Sequence, residues 1–427
     1  MRILLTGSTG LLGRALATAL LAEGHELVCA VRKAPPAARP GERFIHADFT
    51  KDTDKSVWLA RLAQIDVVVN AVGIFRESGG QRFDTLHTAT PCALFAACAE
   101  IGTVQQVVQV SALGADSAAR SRYHLSKKAA DDYLAMLPVN SAIVQPSLIY
   151  ASGGASARVF RTLASMPLCP RFGKAPQLVQ PIDLDDAVAA IVKLIDEALA
   201  RAAAPEPQRI ALVGPQAMPF TDYLAFLRAA MGMGRLRVLP LPSALARMAA
   251  AIGGLLPGSL LDPEALAMLD RGNSADPAAT TRLLGHPPRP VTDFVREPRS
   301  ERQQAKLGWL LPLLRLSIAA VWIGTAIVSA RYPLQASYEL LARSGVQHAL
   351  QPLMLAGAIG LDLLLGLGTL LLARRRRLWQ LQLALIGFYT VVIAVRLPEF
   401  VWHPYGPLLK NLPMLAAIWL LLELEEE

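Results

Sequence analysis

The chain has few cysteines: Cys29, Cys92, Cys98 and Cys169 are the only four in 427 residues. Their spacing fits neither a disulfide framework nor a metal-ligand repeat, so a reducing compartment and small buried apolar roles are expected, with no metal site. The start, "MRILLTGSTG", lacks the long apolar core of a secretory signal, reaching a threonine after three apolar residues. The N-terminal region is therefore expected to stay in the cytoplasm. Zinc-finger and RNA-binding signatures are missing too, and no aromatic-interleaved basic stripe accompanies the net charge of +8. Nucleic acid is thus not an expected partner, and the positive charge is better explained by membrane orientation.

Apolar residues are abundant, at 53% of the chain, but unevenly placed. The first two hundred residues carry ordinary soluble punctuation such as "RKAPPAARPGER" (Arg32 to Arg43), and the excess lies near the C-terminus. Short apolar runs at Ile3–Leu5, Leu27–Val31, Val67–Val69, Val107–Val110 and Ala142–Val144 alternate with helical patterns, and "RIALVG" (Arg209 to Gly214) completes the series. This alternation predicts an α/β fold with a doubly wound parallel sheet over residues 1–215. An Ala/Leu-rich helical lid is expected over 216–285, with the apolar stretch from Leu241 to Gly258 buried or grazing a membrane. The Pro/Arg-rich segment 286–307 reads as a linker.

Beyond it come four apolar stretches: about Trp309–Ala330, Pro352–Ala373, Leu378–Val395 and Leu408–Leu424. Each is near the roughly 20 residues that cross a hydrocarbon core of about 30 Å, so residues 308–427 are expected to form a four-helix transmembrane bundle. Arg374–Arg377 lie between the second and third stretches, where the positive-inside rule puts arginine on the cytoplasmic side. Four crossings then place the N-terminal domain and the C-terminus on the cytoplasmic side of a multi-pass inner-membrane protein. Within the spans, Arg315 and Asp362 are expected to pair, or Arg315 to snorkel to the surface.

"TGSTGLLG", comprising Thr6, Gly7, Ser8, Thr9, Gly10, Leu11, Leu12 and Gly13, follows the first apolar run and opens a helix. Gly7 suits a tight turn, Gly10 a close approach to a pyrophosphate, and Gly13 close helix packing, while the helix N-terminus attracts phosphate. The second run ends in "CAVRK", with Arg32 where an NAD enzyme carries an acidic residue for the ribose 2′-hydroxyl. A guanidinium matches a 2′-phosphate, so NADP(H) is the expected cofactor and NAD(H) the alternative. Asp48 in "HADFT" is expected near the adenine amino group, with Asn70, Ala71 and Gly73 of "NAVG" lining the nucleotide.

Taken in order, the glycine loop, "HADFT", "NAVG", "VSALGAD" and "YHLSK" resemble the extended or atypical branch of the short-chain dehydrogenase/reductase superfamily, near the group of the complex I nucleotide-binding accessory subunit. The resemblance covers about residues 1–285. It implies catalytic roles for Ser111, Tyr123 and Lys127, with Tyr123 and Lys127 also binding the cofactor, Lys127 at the nicotinamide ribose, and Pro146 bordering it. Independently, Tyr123 and Lys127 are four apart and share a helix face, so the ammonium is expected to favour the phenolate. Gln145 and Ala151 depart from the family pattern, which puts sugar-nucleotide handling in doubt. Residues of about 308–427 resemble the DoxX-like family, notably in "GLDLLLGLG" and "HPYGPLLKNLPML".

These readings together imply a membrane-anchored NADP(H)-dependent oxidoreductase, with Tyr123 as general acid or base on a lipid-like or quinone-like substrate. The alternatives are a non-catalytic NADPH-binding scaffold of a membrane protein complex, and a nucleotide-sugar epimerase or dehydratase. Expected partners are the dinucleotide, the lipid bilayer, and a quinone or membrane complex.

Overall fold

A computed structural model of the protein describes residues 1–171, 176–200, 207–255, 262–404 and 406–425. The chain divides into two compact units, Met1–Ala305 and Lys306–Glu427. In the first, β1 (Arg2–Thr6), β2 (Glu26–Val31), β3 (Glu42–His46), β4 (Val67–Asn70), β5 (Gln106–Val110), β6 (Ser141–Pro146) and β7 (Gln208–Leu212) form one sheet in the order β7-β6-β5-β4-β1-β2-β3. All its pairings are parallel. The apolar runs have no polar alternation because both faces are covered. Ile3 and Leu5 of β1 pack with Leu16 and Leu20 of helix α1 (Leu11–Ala22), whereas Leu4 between them faces Trp58 and Phe95 on the other side. Strand order reverses between β1 and β4, which opens a crevice at the carboxyl ends of these strands.

Within the region expected as a lid, helices cover Phe220–Ala230 and Ser243–Leu255, and α3 covers Pro263–Arg271. Of the apolar stretch from Leu241 to Gly258, the last three residues lie outside the described residues. Leu245 and Met248 within it are exposed rather than buried. α3 begins where the Asp262 carboxylate accepts from the Ala265 N–H at 2.7 Å, with Pro263 in its first turn.

Residues 286–307 are not a free linker. Val291, Phe294, Val295 and Ala305 are buried with Tyr150, Phe220 and Tyr223 in one apolar cluster. Arg289 and Arg296 pair with Asp183 at 3.0 and 2.9 Å. Glu301, 4% exposed, accepts from Arg161 at 2.7 Å and from the Tyr150 hydroxyl at 2.8 Å. The polar composition that suggested a linker is used for pairing.

Among the described residues, three helices are long and apolar enough to cross a membrane: Pro298–Arg331, His348–Leu371 and Arg376–Arg396. We label the first α4, the α-helical parts of the next two α5 (Gln351–Leu371) and α6 (Arg376–Arg396), and the shorter apolar helix Asn411–Leu424 α7. The fourth expected span, α7, is shorter than the other three, and three or four crossings fit the bundle. α7 has 14 residues, about 21 Å at 1.5 Å per residue. The turn around Gly406 (φ +53°) and the prolines beside it delay the helix to Asn411, and Tyr405 lies outside the described residues. α7 nevertheless shares the bundle core, since Ile418 and Leu421 pack with Trp322, Leu365, Trp379 and Ile386.

Just beyond α7, Glu425 accepts from Trp379 Nε1 at 3.1 Å and lies 4.0 Å from Arg375. The chain therefore returns to the arginine-rich end of the bundle. Arg315 donates to this same Glu425 rather than to Asp362, correcting the expected pair.

Candidate active site

Gly7 turns the chain out of β1 at φ +73°, and a Cβ there would stand 2.6 Å from the Ala71 carbonyl oxygen. At Gly13 a Cβ would meet the Gly7 carbonyl oxygen at 2.1 Å. These two glycines let the loop, α1 and the strand after Asn70 come together as a cradle that any side chain would fill. Thr9, Gly10 and Leu11 are exposed on it, Leu12 is partly exposed and Ser8 is buried. Gly10 caps α1 without a side-chain hydrogen bond, leaving first-turn N–H groups for an anion. The residues present therefore fit the pyrophosphate of a dinucleotide. Gly13→Ala is expected to cost about 1–3 kcal/mol of fold stability through overpacking, read as a lower melting temperature by circular dichroism.

Arg32 follows β2 and is exposed, and the Gln81 amide oxygen can accept from both its terminal nitrogens at 3.3 Å. Among the described residues it forms no ion pair within 4 Å, although its charge acts on Asp48. Asp48 follows β3, but its Oδ1 accepts from Thr50 N–H at 3.0 Å and Thr50 Oγ1 at 2.7 Å. Those bonds, the Thr50 hydroxyl first, hold its carboxyl below the usual range. Thr6 and Asn70 turn inward, fully buried and bonded to each other at 2.6 Å, so neither side chain is exposed to the crevice. Gly73 lies against Lys127, where a Cβ would be 3.2 Å from Nζ, and Pro146 is buried at the end of β6.

Ser111 follows β5, and Tyr123 and Lys127 lie on one face of α2 (Arg122–Ala135), capped by the Ser121 hydroxyl. Lys127, 4% exposed, donates from Nζ to the Val72 and Val110 carbonyls at 3.1 and 3.0 Å. Burial lowers it to about 8. The Tyr123 phenol is pushed up to about 12, by burial first and by the charge of Asp131 second. The sequence-based expectation was a phenolate favoured by Lys127; here the ammonium is occupied by backbone carbonyls and burial dominates. The phenol thus holds its proton at neutral pH.

Around Tyr123 stand Phe75, Phe83, His87 and His124, with ring centroids 5.5, 6.1, 5.6 and 5.3 Å away. Phe75 is 45% exposed, which leaves an apolar wall beside the phenol. His87 sits on a π-helical turn, Asp84–Ala89, and its Nε2 accepts from the Ile74 N–H at 3.0 Å. Its Nδ1 must then carry the proton and donate to Ser126 Oγ at 2.9 Å. Burial, with Lys127 nearby, pushes His87 down to about 2, so the ring stays neutral.

Sequence reasoning missed His87, Gln109, Asp131 and two lid residues. Glu264 of α3 accepts from the Tyr123 N–H at 3.1 Å, while Arg271 donates to the Gly114 carbonyl at 2.7 Å and pairs with Asp116 at 2.6 Å. For the lid pair no local signal existed, since the partners are more than 140 residues apart. Asp131 was legible as the carboxylate four residues after Lys127.

Residues 3–204 match the NAD dependent epimerase/dehydratase family and residues 319–419 the DoxX-like family. Among curated proteins, ceramide reductase of Caulobacter vibrioides is 28% identical over 193 residues, 44% of this chain and 59% of that protein. The dTDP-6-deoxy-L-talose 4-dehydrogenase (NAD(P)(+)) of Kitasatospora kifunensis is 41% identical over 73 residues, 17% of this chain and 23% of that one. The chain thus spans less than two thirds of the length of both relatives. Of solved structures, a nucleoside-diphosphate-sugar epimerase from Staphylococcus aureus aligns with a TM-score of 0.56 at 17% identity, covering 70% of this chain and all of that one. UDP-glucuronic acid 4-epimerase from Bacillus cereus, solved with UDP-glucuronic acid and NAD, aligns at 0.51 and 19% identity over 72% and 99% of the two chains. At such identities the likeness is one of fold.

Proposed function

We propose, from a chain that joins an NAD-dependent epimerase/dehydratase-type domain to a DoxX-like membrane domain, that this protein is a membrane-anchored NADP(H)-dependent reductase of a lipid-like carbonyl compound. The observation that carries the reading is the grouping of Ser111, Tyr123 and Lys127 at the carboxyl edge of the sheet, beside a glycine cradle and the exposed Phe75. A bound nicotinamide would supply the hydride. Tyr123 holds a proton that it can give to a developing alkoxide, a far stronger base than its own phenolate. Ser111 can hold the substrate oxygen, and Lys127 keeps positive charge beside the crevice. The apolar wall and the membrane tail suit a long-chain substrate, in keeping with the lipid named for the Caulobacter relative. We place the nucleotide domain and the C-terminus on the cytoplasmic side, with Arg374–Arg377.

The test is isotope transfer. The protein in nanodiscs receives NADPH deuterated at the nicotinamide C4 together with extracted membrane lipids, and the lipids are then weighed by mass spectrometry. Deuterium appearing in a lipid is the expected result. An epimerase would return the cofactor unchanged, and a lipid fraction without label overturns the reading. A second reading, a non-catalytic NADPH scaffold, is favoured by Lys127 being spent on two carbonyls rather than on the phenol.

Arg32 makes the cofactor choice testable. Charge-assisted bonds to a phosphate are worth about 1.5–3 kcal/mol, so Arg32→Glu is expected to weaken NADPH binding about 10- to 100-fold in calorimetric titration and to spare NADH. Equal losses for both nucleotides would remove the argument for NADP(H).

A further inference from the structure

A chain of buried hydrogen bonds crosses the sheet and ends on a carboxylate. Thr6 Oγ1 donates to Asn70 Oδ1 at 2.6 Å, Asn70 Nδ2 to Gln109 Oε1 at 2.7 Å, and Gln109 Nε2 to Asp131 Oδ1 at 3.5 Å. From the opposite side, Ser111 Oγ donates to Asp131 Oδ2. Thr6, Asn70, Gln109 and Asp131 are each 0% exposed, so water does not stand in for any of these partners.

The direction of this chain follows from its last member. A side-chain amide accepts on one arm and donates on the other, so an acceptor at the end orients both Gln109 and Asn70. An ionised Asp131 can only accept. Ser111 then spends its single O–H on Asp131 and offers a substrate nothing but lone pairs. A protonated Asp131 can donate to Ser111 Oγ, which frees the serine O–H to turn outward.

We propose that Asp131 is a positioning residue that sets whether Ser111 presents a hydrogen or a lone pair to the substrate oxygen. A carbonyl needs a donor from Ser111, whereas an alcohol about to be oxidised needs an acceptor. Protonated Asp131 therefore favours reduction, and ionised Asp131 favours oxidation. The inference rests on the oxidoreductase reading of Ser111, Tyr123 and Lys127. Asp131 is faced by Ser111 and Gln109 from β5 and its end, by Lys127 and Tyr123 on its own helix, and by the more distant Arg209 on β7. Burial raises its carboxyl to about 6, while Ser111 and Lys127 pull it down, so the change falls within reach of neutral pH.

Two measurements on the full chain in nanodiscs test this. The difference between infrared pH titrations of the intact protein and of Asp131→Asn across pH 5 to 8 should contain a buried carboxylic acid band with a midpoint near 6. Ser111→Ala, which removes a bond favouring the anion, should move its midpoint upward. In the isotope assay, reduction should fall about tenfold per pH unit above that midpoint. In Asp131→Asn, whose amide can donate to Ser111 as the acid does, reduction should stay flat over the same range.

Carboxylic acid titrations that are identical in the intact protein and in Asp131→Asn, or a midpoint unmoved by Ser111→Ala, overturn the proposal. So does a pH profile for reduction that Asp131→Asn leaves unchanged. A band that behaves as expected in a protein transferring no deuterium upholds the Asp131–Ser111 coupling and overturns the oxidoreductase reading instead.

Discussion

Tyr123→Phe is expected to slow label transfer from NADPH to lipid by about 10²- to 10⁴-fold, the range for losing a positioned general acid. The change removes one oxygen and keeps the ring. Contacts with Phe75, Phe83, His87 and His124 are therefore retained, as is the backbone N–H bonded to Glu264. The glycine cradle and Arg32 are untouched, so NADPH affinity should hold in the same titration that reads Arg32→Glu. This separation of rate from affinity distinguishes a proton donor from a structural residue. Single-turnover transfer, followed by quenched mass spectrometry, measures it without interference from product release. A variant with unchanged transfer would move the proton to another group, and one that lost NADPH affinity would recast Tyr123 as part of the binding surface.

The sheet was legible because burial on both faces writes a strand as an uninterrupted apolar run. Val67–Val69 is an example: Val67 and Val69 join one core and Val68 the other. The glycine spacing was legible for a steric reason, since Gly13 cannot carry a Cβ without striking Gly7. Asp131 was harder because Asp132 follows it and composition does not say which faces inward. Helical geometry does, as positions 123, 127 and 131 recur every four residues and stack along one side of α2. Asp132 instead is half-exposed and pairs with Arg209 at 2.5 Å. The behaviour of Tyr123 was misjudged because spacing alone brings Lys127 near, but cannot show that the Val72 and Val110 carbonyls take its protons.

The segment 286–307 illustrates a different limit. Its proline and arginine content resembles that of linkers, and what fixes it in place lies far away in sequence. Asp183 is more than 100 residues from Arg289, and Arg161 is 140 from Glu301. Ion pairs across such separations leave no local pattern. Val291, Phe294 and Val295 did carry a three- to four-residue apolar spacing, which the surrounding charge obscured.

Glu301→Gln is accordingly expected to destabilise the nucleotide-binding unit by about 3–5 kcal/mol, the cost of leaving a buried charge unpaired. Arg161 is 1% exposed, and among the described residues its Nε has no hydrogen-bond partner. Its charge is compensated by Glu301, with the Tyr150 hydroxyl and the Ser152 carbonyl, at 3.0 and 2.6 Å, as its other partners. Neutralising Glu301 strands the guanidinium and also weakens the acceptor for the Arg296 N–H at 3.2 Å. In a unit of this size the loss corresponds to a fall in melting temperature of roughly 6–20 °C, read by near-UV circular dichroism with NADPH absent. The companion change discriminates the cause. Arg161→Met in the Glu301→Gln background removes the stranded charge and should restore much of the lost stability, a coupling of the kind double-mutant cycles isolate. Without such recovery, the Arg161–Glu301 pair would count as ordinary packing. With it, a buried ion pair is what holds the first turn of α4 against the lid core.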